Sequence, residues 1–250
     1  MTVRVGVLGA SGRMGSAACA AIDAAGDLEL VASLGSGDTR DDLVERRTQV
    51  AVDLTRPDAV MDNVRFCVEH GIHVVVGTSG FDEDRLVTVR RWLEGAPEVG
   101  VVVAPNFAIG AVLMMRFAAE AARWFESVEV IERHHPDKAD APSGTARRTA
   151  SMVASARQAA GLGEMPDATS EALEGARGAR VDGVPVHSVR ARGLVASQEV
   201  LLGGQGETFS LRHDTLDRSS FLPGVLLAVR QVAGRPGLTV GLDALLGLDD

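Results

Sequence analysis

Short apolar runs alternate with helix-length stretches through the N-terminal part of the chain. Residues 3–8, 28–34, 50–54, 73–76 and 99–103 are rich in valine and leucine and too short for helices. They read as strands. An alanine-rich stretch to about Ala25 and residues 82–94 read as helices. Pro57 can occupy the first turn of another helix and Gly71 can end it. Strands and helices in strict alternation predict a parallel sheet covered on both faces. Ligands in such sheets lie beyond the carboxyl ends of the strands. Three loops fall there: 9–15, 77–80 and 104–107.

The pattern then changes. Residues 109–125 form a long apolar stretch with helical spacing, and 128–131 a strand. A helix is expected over 143–158 and a polar, glycine-rich loop over 161–183, long enough for a functional or mobile role. Strand-like segments follow at 184–192, 194–202 and 207–212, separated by short glycine turns, which predicts an antiparallel or mixed sheet. A last helix is expected over 219–232, then a short leucine-rich tail. The fold class is therefore α/β, with a parallel-sheet unit followed by a second, α+β unit.

Bulk properties narrow the classes. The 250 residues suffice for two modest domains. A net charge of −9 with no long basic run argues against a general nucleic-acid surface. Aromatic residues make up only 4% of the chain, too few for stacking platforms. No apolar run approaches the ~18 residues of a membrane span, and no signal-peptide pattern opens the chain. Cys19 and Cys67 form no metal-binding pair. Both fall on expected helices, where buried thiols in a reducing cytoplasm are the simplest reading.

Candidate chemistry lies in two places. Gly9, Gly12 and Gly15 follow the first strand and open the first helix, around Ala10, Ser11, Arg13 and Met14. Glycine permits the tight turn and lets backbone N–H groups approach phosphate oxygens. A plain helix-packing turn is the bland alternative; placement after V-G-V-L favours a dinucleotide. An acid is expected at the end of the second strand for a free ribose hydroxyl. Gly35 stands there instead, Asp38 lies slightly late, and Arg13 and Arg40 are near in sequence. That combination leans towards NADPH, or use of both NADPH and NADH. The alternative is that both arginines are ordinary solvated cations.

The second place is E-R-H-H-P-D-K-A-D-A-P-S-G-T-A, from Glu132 to Ala146. His134 and His135 would point to opposite sides of a strand end. No third ligand at suitable spacing supports a metal, so none is expected. A histidine proton donor fits better, because the ring titrates near neutrality. Lys138 adds positive charge. Ser143, Gly144 and Thr145 sit at a helix start, whose N–H groups and hydroxyls can hold a carboxylate. Each piece alone would default to a capped helix after a charged loop. Arg218 is either a distant carboxylate partner or a surface residue.

These residues resemble the dihydrodipicolinate reductase family of bacterial lysine and diaminopimelate synthesis, essentially over the whole chain. The resemblance rests on V-G-V-L-G-A-S-G-R-M-G, V-V-G-T-S-G-F, A-P-N-F-A-I-G, the His134 segment and S-F-L-P-G-V. P-D-A-T-S and G-V-P-V-H-S-V-R are similar to the actinobacterial branch. The resemblance implies a Rossmann-type domain from residues 1–106 and 216–250, and a substrate-binding and tetramerisation domain from 107–215. It implies a hinge near residues 106–108 and 215–219, a homotetramer, and reduction of a cyclic dicarboxylate by a nicotinamide hydride in the cytoplasm. Carried over, His134 matches the proton donor and Lys138 the catalytic, carboxylate-binding lysine. His135, Ser143, Gly144 and Thr145 match substrate contacts. Gly77, Thr78, Ser79, Ala104, Pro105, Asn106 and Phe107 match loops at the nicotinamide end. The chain departs from the family pattern at Gly35, Leu54, Arg56, Ser79 and Arg133. Another dehydrogenase on the same scaffold and a non-catalytic NAD(P)H sensor are the alternatives.

Overall fold

The computed structural model describes residues 2–248 and divides into two compact units, Met1–Ile109 with Arg218–Asp250, and Gly110–Asp217. Five short strands of the first unit alternate with helices along the chain: β1 (Val3–Leu8), α1 (Arg13–Asp23), β2 (Leu28–Leu34), α2 (Asp41–Glu45), β3 (Val50–Asp53), α3 (Val60–Glu69), β4 (His73–Val76), α4 (Glu83–Glu94) and β5 (Gly100–Val103). Asp82 caps α4 by accepting from the Arg85 N–H at 2.9 Å. Gly71, at φ +70°, takes the left-handed conformation just beyond α3.

Four of these strands are buried almost throughout, as expected where both faces of a parallel sheet are covered. Alternate side chains such as Ala51, Val74, Val76, Val101 and Val103 join Val60, Val64, Val68, Val89 and Leu93 of α3 and α4 in one core. The strand order is β2-β1-β3-β4-β5, so the order reverses at β1. That reversal opens the crevice where the glycine loop begins.

The C-terminal part departs from the simplest expectation. The last helix, α7 (Leu222–Gln231), is preceded by a 3-10 turn over Arg218–Phe221. The leucine-rich tail is not a tail. Residues 237–240 form a further parallel strand against β5 and complete a six-stranded sheet. Its four residues, G-L-T-V, are too few to show a period. Only an open edge on β5 decides their conformation.

The second unit contains α5 (Ile109–Ala121), β6 (Ser127–His134), α6 (Gly144–Ala159), β7 (Ala179–Val181), β8 (Val184–Arg190), β9 (Ala196–Gly204) and β10 (Glu207–Thr215). Helix α5 stops at Ala121, short of the expected 125. Strand β6 reaches His134, three residues beyond expectation, because it pairs with β8 and β9 along its polar end. The sheet order is β10-β9-β6-β8-β7, with β6 and β8 parallel and the other pairs antiparallel. It is therefore mixed. The loop expected over 161–183 holds β7, which turns into β8 through Asp182 and Gly183 at φ +50° and +86°. Positive φ at both turn residues suits a two-residue hairpin. Upstream, the loop is tied down where Arg177 pairs with Glu129 at 2.6 Å.

Helix α6 lies on the β6–β8 face of the sheet, where Ala146, Ala150 and Val153 pack with Val128, Val130, Val184, Val186, Val200 and Leu202. Among the described residues no helix is long and apolar enough to cross a membrane. Cys67 is buried, and burial pushes its thiol up to about 12; Cys19 is only half-buried.

Candidate active site

The glycine loop shows why its spacing matters. Gly9 sits at φ +81°, and a Cβ there would lie 2.6 Å from the Leu54 carbonyl oxygen. A Cβ on Gly15 would lie 2.0 Å from the Gly9 carbonyl oxygen. Neither position tolerates a side chain without movement of backbone. Gly12 is the N-cap of α1, and no side chain caps that helix. Its first-turn N–H groups, around Arg13 and Met14, have no intrahelical partner, which suits the pyrophosphate of a dinucleotide. Ser11, Gly12 and Arg13 are exposed.

At the end of β2 Gly35 stands at the position of the expected acid, and Asp38 follows three residues later. The Asp38 carboxylate turns back and accepts from the Gly35 N–H at 2.7 Å. It also lies 3.6 Å from where a Gly35 Cβ would be. An acid is present, delivered by the loop instead of the strand. The Arg40 guanidinium lies over the Phe66 ring, 5.6 Å from the centroid. Arg13 remains the exposed cation of the loop.

The loops after β4 and β5 are packed on each other. A Cβ on Gly77 would meet the Phe107 ring at 2.5 Å and Leu54 at 2.7 Å. Ala104 and Phe107 are buried, whereas Pro105 and Ser79 are exposed. Asn106 caps its own turn, accepting from the Ala108 N–H at 2.8 Å. The Thr78 hydroxyl is occupied, since it donates to Asp53 at 2.6 Å. Asp53, fully buried at the end of β3, also accepts from Asn63 at 2.8 Å and from Thr55. It ties the β4 loop to α3 and has no counterpart in the sequence-based expectations.

In the second unit the histidine segment is built on the polar end of β6. Glu132 is fully buried there. Arg190, across the parallel pair on β8, donates to both of its oxygens, each at 2.8 Å. His134 places Nδ1 2.6 Å from Glu132 Oε2, and the Ser143 N–H donates to Oε1 at 3.2 Å. Burial would raise the Glu132 carboxyl, but hydrogen bonds from Arg190, Ser188 and His134 hold it below the ordinary range. Burial pushes the His134 ring down, aided by the Lys138 and Arg190 charges and opposed by Glu132.

Lys138 donates to Asp140 at 2.6 Å. That hydrogen bond, more than burial opposes, keeps the Asp140 carboxyl low. Ser143 serves as the N-cap of α6, its hydroxyl accepting from the Ala146 N–H at 3.2 Å. Its own N–H is given to Glu132 as well, so Ser143 is held at both its backbone and its hydroxyl. Gly144, exposed, and Thr145, half-buried, begin the helix beside it. Thr149 extends this support: it donates to the Thr145 carbonyl at 2.8 Å and accepts from buried Gln198 of β9 at 2.7 Å. Arg133 faces the other side of the sheet, as strand alternation requires, and pairs with Glu199 at 2.8 Å. Among the described residues no group of three metal-ligating side chains occurs.

Family models for the dihydrodipicolinate reductase N-terminus and C-terminus match residues 3–107 and 110–246. The chain belongs to the dihydrodipicolinate reductase family. The 4-hydroxy-tetrahydrodipicolinate reductase of Nocardia farcinica is 66% identical over 99% of this chain and 100% of its own. That of Streptomyces griseus is 60% identical over 99% of both chains. The solved structure of dipicolinate-bound dihydrodipicolinate reductase from Paenisporosarcina sp. TG-14 shares 40% identity at a TM-score of 0.85, covering 98% of this chain and 99% of the other. A probable dehydrogenase from Thermotoga maritima, 14% identical at a TM-score of 0.61, shares the fold.

Membership makes this reductase family member an NAD(P)H-dependent oxidoreductase. The structure brings His134, Ser143, Gly144 and Thr145 to one end of β6 and α6, as the spacing predicts. Lys138 follows in the loop between them. Arg218 is exposed, in the turn before α7. Glu132 and Arg190 escaped the sequence reading. Glu132 stands inside the recognised segment, but its burial depends on a partner 58 residues away. The only signal was the final arginine of G-V-P-V-H-S-V-R.

Proposed function

We propose that the chain reduces 4-hydroxy-tetrahydrodipicolinate to tetrahydrodipicolinate in lysine and diaminopimelate synthesis, with His134 as proton donor. The observation that carries this reading is the His134 imidazole on a buried carboxylate, beside a lysine and the N-terminus of α6, in a chain of this family. The bound nicotinamide supplies the hydride. The first-turn N–H groups of α1, with Gly9, Ala10, Ser11, Gly12 and Arg13, hold the pyrophosphate. The loops at Gly77–Ser79 and Ala104–Phe107 shape the nicotinamide end.

Lys138 leaves Asp140 for a substrate carboxylate, and the N–H groups of Gly144 and Thr145 donate to the same carboxylate at the positive end of α6. His135 contributes a further substrate contact. The ring is thereby held against the hydride donor, a proximity effect. His134 then protonates the neighbouring centre. The net charge of −9 does not by itself oppose a dianionic substrate, because Lys138 and the N-terminus of α6 present local positive charge to it.

The cofactor is NADPH or NADH, with both accepted. Arg13 favours a 2′-phosphate, and the Asp38 carboxylate at the end of β2 favours a free ribose hydroxyl. The chain acts in the cytoplasm, as a homotetramer assembled through its second domain, without nucleic acid or membrane.

The test is oxidation of NADPH and NADH by purified protein with substrate generated in place by the preceding synthase from pyruvate and aspartate semialdehyde. Consumption that depends on the synthase supports the reductase. Cofactor binding without consumption would leave a sensor or another dehydrogenase.

A further inference from the structure

Glu132 is a carboxylate with no exposure to solvent, on a strand between two others. A lone buried charge of that kind costs several kcal/mol. It is kept ionised by the planar fork of Arg190, which meets both oxygens at 2.8 Å. The Nη2 that meets Oε1 also donates to the Asp140 carbonyl at 2.7 Å, so the guanidinium is itself tied to the loop before α6. Both Glu132 oxygens accept again: Oε2 takes His134 Nδ1, Oε1 takes the Ser143 N–H, and the Ser188 side chain also hydrogen-bonds the carboxylate.

We propose that Glu132 and Arg190 are positioning residues, a single buried ion pair that dictates which nitrogen of His134 gives up its proton and fixes the start of α6 beside it. This rests on the reading of His134 as proton donor. An ionised carboxylate can only accept, so Nδ1 carries a hydrogen in every protonation state of the ring. The exchangeable proton is therefore on Nε2. When it is given, the Nε2–H bond breaks, the new bond forms at the substrate, and the ring is left neutral with Nδ1–H still on Glu132. Solvent then restores the proton at Nε2. A carboxylate behind a histidine fixes tautomer and orientation in the same way when the ring binds a metal.

The same carboxylate holds Ser143, the N-cap of α6, by its N–H. The helix start that cradles substrate charge and the imidazole that delivers the proton thus share one anchor. The charged groups facing His134 are Glu132 on its own strand, Lys138 in the loop after it and Arg190 on β8. Its partner on β9 is Ala196, which is uncharged.

Three observables separate positioning from mere structural support. They are the ring nitrogen shifts of His134 by NMR (assigned by loss in His134→Gln), the pH dependence of turnover, and the Kd for NADPH by fluorescence. Wild type should show the Nδ1–H tautomer. Glu132→Gln keeps the shape but removes the charge. It should shift the ring to a mixed or Nε2–H tautomer and move its titration about tenfold in proton affinity towards acid. Turnover should fall about 10- to 100-fold with the NADPH Kd within about twofold. Arg190→Met should reproduce the tautomer change, because an uncompensated Glu132 takes up a proton.

An Nε2–H tautomer in wild type would overturn the proposal, even if neither variant folds. So would a wild-type tautomer and pH profile in Glu132→Gln alongside an inactive His134→Gln. Full turnover in His134→Gln would instead sink the reading of His134 as donor.

Discussion

The two units build their halves of the chemistry from different materials. The first offers backbone: an uncapped helix start, reached through Gly9 and Gly15, where a side chain would collide with backbone, and loops packed on Phe107 and Leu54. The second offers side chains held by other side chains: Glu132 on Arg190, His134 on Glu132, Lys138 on Asp140. A phosphate needs many weak donors in fixed directions, which a helix start supplies without burying any charge. A proton transfer needs one group with a set tautomer, which requires a charged partner and hence a second charge to balance it. The backbone site is local along the chain. The side-chain site is assembled across a sheet.

That contrast can be broken most sharply at His134. Replacement by glutamine should lower turnover about 100- to 10,000-fold, while the NADPH Kd, measured by fluorescence, stays within about twofold. Equal loss of both would mean that the side-chain half also shapes the backbone half. Gly15→Ala should do the reverse. Its Cβ would fall 2.0 Å from the Gly9 carbonyl oxygen, so the helix start must move and cofactor binding should weaken about 100-fold, since a displaced donor set forfeits about 3 kcal/mol. An unaltered Kd would show that the loop is not the phosphate cradle.

Removing the Lys138 charge with methionine should raise the KM for the dicarboxylate about 10- to 100-fold, the worth of one charge-assisted hydrogen bond. A change confined to kcat would assign the lysine to chemistry instead of binding. Asp38→Ala should raise the NADPH-to-NADH ratio of kcat/KM about tenfold, equivalent to about 1.4 kcal/mol. An unchanged ratio would mean that the loop carboxylate does not reach the ribose.

The smallest effect expected is in the pH dependence. Burial places the free His134 ring below the ordinary value of 6.5. Its protonated fraction, and with it kcat/KM, should therefore grow as pH falls from 8 through 6 and level off only below that value. The same depression means that the unfolded chain binds this proton more readily than the native one. The His134 contribution to stability is thus present above 6.5 and is lost as pH falls below it. A limb of kcat/KM centred above 7 would contradict the depressed ring.

The parallel sheet, the glycine loop and the His134 segment are legible along the chain, because each is written in neighbouring residues. Strands buried on both faces show as unbroken valine runs, and a turn that excludes a Cβ shows as glycine at fixed spacing. Asp38, Thr78 and Ser143 were recognisable as positions, yet their bonds were not. Whether a carboxylate folds back on Gly35 or a hydroxyl caps a helix depends on backbone directions a few residues away, and the Thr78 hydroxyl finds its partner in Asp53, 25 residues away. Tertiary structure alone decided the rest. G-L-T-V becomes a strand only because β5 has a free edge for it. Glu132 becomes a buried anion only because the β6–β8 register sets His134 opposite Arg190. Charge in a nonpolar interior survives only beside its counter-charge, and that neighbour is chosen by strand pairing, not by distance along the chain.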